Sequence, residues 1–334
     1  MKPFLKNILH TLVRSIYSIQ GSFLSFTTRP IHAEHINQPP RPVLAAKKLA
    51  VIIQGPLKHE HSFTIETVKL YKKTLLPSSA IIVSTWEDED STTLQTLRDL
   101  GAHVVTAPYP ENKGILHINY QIVSVRNGIE KAKALGAEYV LKTRTDTRIN
   151  ASNIEEFLCG LLTSFPAKSG FDQKYRILAL SLNSYMYRMY NISDLVLFGH
   201  IYDMQKYWST PLDMRSEEPA RPKNTLREWS ELRMVETYLT TAYLELIGRT
   251  LDWTVASSFK ALSENFIIID EQSLDLFWYK YSYWQEYRNR EYGVQKNDVC
   301  ITFRDWVALY AKVDNLKQVP EHAIEQPFKT VIKK

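Results

Sequence analysis

The stretch YVLKTRTDTRI, residues 139–149, decides how the rest of the chain is read. It begins as an apolar, β-branched run and ends in charge, which is the pattern of a buried strand running out at a polar edge. In an extended strand residues two apart share a face, so Lys142, Arg144 and Asp146 point one way and Leu141, Thr143 and Thr145 the other. Three unpaired charges on a covered strand would be costly to bury, so the strand end is expected to open into a polar cleft. Two arrangements satisfy the charges. Either Asp146 meets a divalent metal that holds a nucleotide diphosphate, with Lys142 and Arg144 stabilising leaving-group charge, or Asp146 pairs internally with Arg144 or Lys142.

Upstream of this stretch, apolar runs alternate with helical patterns. Strands are expected at Leu49 to Ile53, Ala80 to Thr85, His103 to Ala107 and Tyr139 to Thr145, and helices around Thr64 to Leu75, Thr92 to Leu100 and His117 to Leu135. The last helix carries Ile118, Ile122, Val125, Ile129 and Ala132 at spacings of four and three, and Gly136 follows where a helix stop belongs. Strands separated by helices imply an α/β fold with a mostly parallel sheet flanked by helices. Ligands of such sheets bind beyond the carboxyl ends of the strands. That rule selects Gln54-Gly55-Pro56, Ser84-Thr85-Trp86-Glu87, the loop Pro108 to Leu116 leading into Asn119, and Arg144 to Arg148. Neither a G-x-G-x-x-G nor a G-x-x-x-x-G-K follows the first strand, which disfavours a dinucleotide dehydrogenase or a P-loop NTPase.

Beyond residue 150 the pattern is less regular. A helix is expected at 150–164, strands at 176–183 and 193–198, a charged proline-containing loop at 211–227, and a helix from Leu226 to Ile247. Eight aromatic residues between Phe277 and Tyr292 give the C-terminal part its character, as packing residues or as platforms for sugar rings.

Of the 334 residues, 44% are hydrophobic and 23% charged, an ordinary globular mix that excludes wholesale disorder. Four cations of the net +5, Lys2, Lys6, Arg14 and Arg29, lie in the first 30 residues with no acid among them, so the body is nearly neutral and a nucleic-acid-binding role is disfavoured. Two cysteines provide neither a disulfide framework nor a multi-cysteine zinc site, and a reducing cytoplasm is the default. Residues 1–28 read as a basic amphipathic helix, either lying in a membrane surface or packed on its own domain; they are too interrupted to span a membrane. Residues 29–46, with Pro30, Pro39, Pro40 and Pro42, read as a linker.

The segments VIIQGP (51–56), IIVSTWE (81–87), INYQIVSVRNGI (118–129), YVLKTRTDTRI (139–149), ISDLVLFG (192–199) and VETYL (235–239), in this order, resemble the WavE family of lipopolysaccharide-synthesis proteins. The resemblance covers about residues 49–240, with K-x-R-T-D and S-T-W-E its most specific parts. It implies a sugar transferase of lipopolysaccharide core or capsule, with a GT-A-like nucleotide-binding domain at 47–250 and an extension at 251–334 packing on its acceptor side. By the same resemblance Asp146 meets the nucleotide-sugar and a Mn²⁺ or Mg²⁺ ion, Gln54 and Gly55 border the base or ribose, and Ser84, Thr85 and Trp86 form the adjacent wall. The GT-A metal motif is D-x-D, whereas this chain has Thr145-Asp146-Thr147-Arg148, with one carboxylate. Asn119 and Gln121 are the amides of the family's N-x-Q segment, here around Tyr120, at a helix start that favours anions.

An inverting transfer needs a base for the acceptor hydroxyl. Glu236 is the first candidate and Asp194 the second, ahead of Glu231 and Asp203. The acidic run Glu87 to Asp90 is expected to cap the following helix rather than bind metal. The leading expectation is a glycosyltransferase moving a sugar from a nucleotide-sugar to a lipopolysaccharide core or other lipid-linked glycan, peripheral on the inner face of the membrane. Competing readings are a nucleotidyltransferase on the same fold and a non-catalytic carbohydrate-binding or scaffold protein.

Overall fold

In the computed structural model every residue of β1 (Leu49–Gln54) is buried. That burial explains why the strand is an unbroken apolar run: a strand covered on both faces has no solvent side to mark with polar residues. The structure describes residues 48–215, 225–279, 299–312 and 319–326, together with 29–36 and scattered positions between 4 and 15. The expected linker at 37–46, the centre of the loop 211–227 and the aromatic residues from Tyr281 to Tyr292 lie outside the described residues.

The chain divides into two units, Met1–Ile36 and Asn37–Lys334. Within the first, Phe4, Ile8 and Leu12 are helical, four apart and exposed, and a 3-10 turn occupies Ala33–His35. Residues 29–36, expected in the linker, therefore belong to this unit. Among the described residues no helix is long and apolar enough to cross a membrane.

In the second unit β1 is followed by α1 (Phe63–Thr74), β2 (Ala80–Trp86), α2 (Ser91–Asp99), β3 (His103–Ala107), α3 (Ile118–Ala134), β4 (Tyr139–Arg144) and β5 (Thr147–Ile149). Then come α4 (Ile154–Ser164), β6 (Ile177–Leu180), β7 (Leu197–His200), α5 (Ile201–Trp208), α6 (Leu226–Glu231), α7 (Val235–Leu246), α8 (Val255–Asn265), β8 (Phe266–Ile269), β9 (Leu276–Trp278) and α9 (Phe303–Lys312). The seven-stranded sheet has the order β3-β2-β1-β4-β7-β6-β8, and β7 alone of the seven runs against the others. From β1 the chain moves outward to β2 and β3, then crosses back to place β4 on the far side of β1. Right-handed crossovers in opposite directions put α1 and α3 on opposite faces and leave a switch point between the carboxyl ends of β1 and β4.

Close approach of α3 to the sheet depends on Gly128, where an added Cβ would lie 2.6 Å from Ile52 Cγ2. Asp90 caps α2 by accepting from the Thr93 amide at 2.7 Å, the role expected for the acidic run.

Three expectations change beyond Arg144. First, β4 ends there, and Thr145-Asp146 form a turn into β5, which pairs antiparallel with β9. Asp146 is thus a turn residue, not the next rung of an extended strand. Second, the expected helix 226–247 is two helices, α6 and α7, separated by Arg233 at φ 47°. No glycine or proline marks that break. Third, the sheet does not close before residue 250: β8 supplies its edge strand and α8 leads directly into it. The described residues from α8 through β8 are thus part of the sheet domain rather than an extension upon it.

Candidate functional site

At the carboxyl end of β4 lies a cleft of about 590 Å³. Of the residues expected at a site it brings together Gln121, Arg144, Asp194 and Glu236. Lys113, His117, Asn183 and Trp278 join them in its lining. Lys113 and His117 come from the loop that the switch-point rule singles out. Asn183, in the turn after β6, carries no sequence signal beyond its position near a strand end.

Arg144 and Asp146 form a two-pronged ion pair, Nε to Oδ1 at 2.8 Å and Nη2 to Oδ2 at 3.0 Å. The Trp278 indole donates to the same Oδ2 at 3.2 Å, and the Tyr279 amide donates to the Asp146 carbonyl at 2.8 Å. The internal pair with Arg144, one of the two arrangements open from the sequence, is formed. A planar guanidinium gripped through two bonds is oriented as well as neutralised.

These surroundings do not fit a metal on Asp146. Both carboxylate oxygens already accept hydrogen bonds, and among the described residues no group of three His, Cys, Asp or Glu side chains could hold an ion. A divalent cation there would stand a few ångströms from the Arg144 guanidinium. At an effective dielectric near 20, two unit charges ~4 Å apart repel by about 4 kcal/mol, and a doubly charged ion by about twice that.

Lys142 is fully buried on β4, with its ammonium donating to the Asp194 carbonyl and lying 5.2 Å from the Trp208 ring centre. Burial pulls its pKa down to about 8, opposed by the nearby Asp194 carboxylate. Its contact is with the protein's own backbone, so it positions Asp194 rather than lining the cleft. Asp194 is 8% exposed, and its Oδ2 is buried without a hydrogen-bond partner although the residue faces the cleft. A buried carboxylate oxygen left unpaired within the protein is available to a ligand's hydroxyl or amide proton.

Glu236 sits in the first turn of α7, half-buried, beside Asp194. Burial and then the neighbouring Asp194 charge push its carboxyl up to about 7. Gln121 also lines the cleft, and its Oε1 is buried without a partner.

Other expected site residues are committed elsewhere. Arg148 points under α1, where it donates to Thr67 Oγ1 at 3.0 Å and the Phe63 carbonyl at 3.1 Å. Ser84 Oγ donates to the Ser124 carbonyl at 2.6 Å, and Thr85 Oγ1 to Glu89 Oε1 at 3.0 Å. Trp86 is buried beneath exposed Tyr109, rings stacked 4.3 Å apart, and also supports Tyr120, which stacks on His117 at 5.4 Å. Gly55, at φ 117°, lets the chain leave β1 against the Thr145 side chain, while the neighbouring Gln54 is buried.

Asn119, expected to touch the nucleotide, is instead fully buried and engaged with backbone. Its Nδ2 donates to the carbonyls of Asn112 (2.9 Å) and Asp213 (2.8 Å), and its Oδ1 accepts from the Asp213 amide at 2.7 Å. Asp213 in turn pairs with Arg215, at 2.8 Å to Nε and 2.9 Å to Nη2, and Arg215 donates to the carbonyls of Leu232 and Arg233. Asn119 therefore ties the loop bearing Lys113 and His117 to the turn that launches α7 and Glu236. A short-range pattern search has no means of detecting a bond across 94 residues.

No curated protein matches the chain in sequence. Among solved structures, HddC from Yersinia pseudotuberculosis is similar at 9% identity and a TM-score of 0.31, over 51% of this chain and 83% of that one. Mannose-1-phosphate geranyltransferase from Thermus thermophilus is similar at 17% identity and a TM-score of 0.26, over 42% of this chain and 44% of that one, so the chain spans less than half of the Thermus protein. At these scores neither likeness bears on the chemistry of the cleft. The sequence profile of WavE lipopolysaccharide synthesis, by contrast, matches residues 49–328, from β1 to beyond the 3-10 turn Glu321–Glu325 that caps α8, and the chain belongs to that family.

Proposed function

We propose that the cleft transfers a sugar from a nucleotide-sugar to a hydroxyl of a lipopolysaccharide core or other lipid-linked glycan. The observation that carries this reading is the meeting of two chemistries in one cleft, the Arg144 guanidinium and the Asp194–Glu236 carboxylate pair, at a strand end where α/β sheets bind ligands. Membership of a lipopolysaccharide-synthesis family supports the substrate class.

In this reading the donor lies along β4 and the amino end of α3, with the positive end of that helix and Arg144 facing its phosphates. Glu236 takes the proton of the acceptor hydroxyl as that oxygen attacks the anomeric carbon. The sugar–phosphate bond breaks and the nucleotide leaves with its electron pair. Asp194 serves the acceptor by accepting from a second hydroxyl through its unpaired Oδ2, which aims the attacking oxygen. Lys142 holds Asp194 in place from behind. The exposed apolar face of Phe4, Ile8 and Leu12, with the surrounding cations, would bring the enzyme to the cytoplasmic face of the membrane, where lipid-linked acceptors reside.

The test is product analysis with purified protein, a panel of nucleotide-sugars and rough lipopolysaccharide. Glycosylated acceptor with stoichiometric nucleotide release is expected. Pyrophosphate release with a sugar phosphate as acceptor would establish nucleotidyl transfer instead, and nucleotide binding without turnover across the panel would make the protein a binding module.

A further inference from the structure

We propose that the cleft binds a nucleoside diphosphate without a divalent cation, using the side-chain cations Arg144 and Lys113 in the place of a metal. This rests on the nucleotide-sugar reading above and specifies how that site meets the diphosphate.

Asp146 already has an occupation. A carboxylate that holds a metal must offer a lone pair to it, yet both Asp146 oxygens point at Arg144, and one also receives the Trp278 indole. The turn that carries Asp146 is pinned by β9 through the Tyr279 amide, so turning the carboxylate away would require breaking the pair, the indole bond or the turn itself. Asp146 is better suited to holding the guanidinium in a fixed attitude. The two carboxylates that line the cleft, Asp194 and Glu236, do not assemble a metal set with it among the described residues. Lys142 places an ammonium directly behind Asp194 as well.

Cationic groups, in contrast, are presented to the cleft. Arg144 lines it with its side chain about one quarter exposed. Lys113 also lines it, exposed, and its ammonium has no carboxylate partner among the described residues. Gly114, at φ 64°, turns the loop beside it, where an added Cβ would lie 2.8 Å from Ile118. Asn119 then fastens that loop to the Asp213 segment. Lys113 is therefore delivered on a tethered loop to the same cleft as a guanidinium whose plane is set by Asp146. A fork and a point charge suit two adjacent phosphoryl groups. Gln121, with its unpartnered Oε1, can accept from a sugar or ribose hydroxyl of the same donor.

Isothermal titration of the full chain with UDP, GDP and CDP, each in EDTA and again in Mg²⁺ or Mn²⁺, tests this. At least one diphosphate should bind, with its Kd changing by less than about threefold between EDTA and metal, and its monophosphate should bind at least ~10-fold more weakly. Lys113→Ala, at an exposed position where folding is not at stake, should weaken the diphosphate by about 10-fold in EDTA. Asp146→Asn should weaken it in EDTA and in metal alike. Binding that appears only with metal, or that Lys113→Ala leaves unchanged, overturns the proposal while the nucleotide-sugar reading stands. If no nucleotide binds in either condition, both readings fall.

Discussion

Strands β1 to β4 and their loops bring Lys113, His117, Gln121 and Arg144 to the cleft, whereas the β7 side of the sheet brings Asp194 and Glu236. The two contributions differ in environment as well as in sign. Lys113 is exposed, so it keeps its ordinary hydration and acts on a ligand through screened attraction. Asp194 is nearly buried and Glu236 half-buried beside it, so burial and the neighbouring charge raise the proton affinity of Glu236. Exposed cations suit the recognition of an anionic donor. An acid with raised proton affinity, as Glu236 is, suits proton transfer near neutral pH, where a base must release its proton again.

The severest challenge to this division of labour is Glu236→Gln, which keeps shape and removes the proposed base. Transfer should fall by about 10² to 10⁴-fold, the usual range for losing a general base. Donor affinity should stay within about twofold, because the cationic side is untouched. Donor affinity falling in step with turnover would assign Glu236 to the donor, and normal turnover would remove it from the chemistry.

Next in size is Asn119→Ala, which cuts the tie between the two sides. It deletes three hydrogen bonds and leaves the Asp213 amide and the carbonyls of Asn112 and Asp213 buried without that partner. Unsatisfied buried groups cost about 1–3 kcal/mol each before relaxation, so a net loss of about 2–4 kcal/mol is expected in urea unfolding. Donor binding and turnover should both drop, in contrast with Glu236→Gln. If stability holds and only donor affinity falls, the amide is a nucleotide ligand, as its sequence context suggests.

The same contrast explains what can be read from the chain. The elements β1 to β4, α1, α2 and α3 are legible to within a residue or two. Doubly covered strands are apolar runs, and Ile118, Ile122, Val125 and Ile129 mark the buried face of α3. The other half resists because its order is set by long-range polar contacts. Arg249 pairs with Glu264, Lys168 adds a second bond to that carboxylate at 2.8 Å, and Arg176 donates to the Glu264 carbonyl. Asp203 is buried because it accepts from the Lys174 and Tyr175 amides, both at 2.9 Å. None of these has a periodic signature. Arg144, which lines the cleft, and Asp146, which pairs with it, are legible as a charged strand end. Arg148 is not separable from them in the sequence, since only the turn at Thr145-Asp146 and the pairing of β5 with β9 send it inward to Thr67. Glu236 is found by family resemblance, and its proximity to Asp194 requires the fold.

The two sides should also part company in their pH dependence. A base raised to about 7 by burial and Asp194 is half-protonated there, so kcat/KM should rise about tenfold per pH unit below 7 and level off above it. Glu236→Gln should flatten this profile for any residual transfer while leaving diphosphate affinity in EDTA unchanged at each pH, because that affinity belongs to the cationic side. A plateau reaching down to pH 5 would show that the base is not in this pair.

The smallest effect concerns the cost of keeping that base ionised. The Glu236 carboxyl is raised above its ordinary 4.5, so between about 4.5 and about 7 the folded protein holds a proton that the unfolded chain has released. Native stability therefore falls as pH rises through this window and stays lowered above it. A glutamine amide cannot ionise, so Glu236→Gln should be more stable than the parent at pH 8, and the difference should shrink toward zero at pH 4. A tenfold change in proton affinity corresponds to about 1.4 kcal/mol, but Glu236 is only half-buried, and solvent screening reduces the expected gain to on the order of 1 kcal/mol. Thermal unfolding of both proteins across pH 4 to 8 reads it directly. A variant that loses transfer while gaining stability only at high pH ties both effects to one desolvated carboxylate. Parallel stability curves would mean that the carboxylate is hydrated like any surface acid, and the acidic side of the cleft would then be no more tuned than the cationic one.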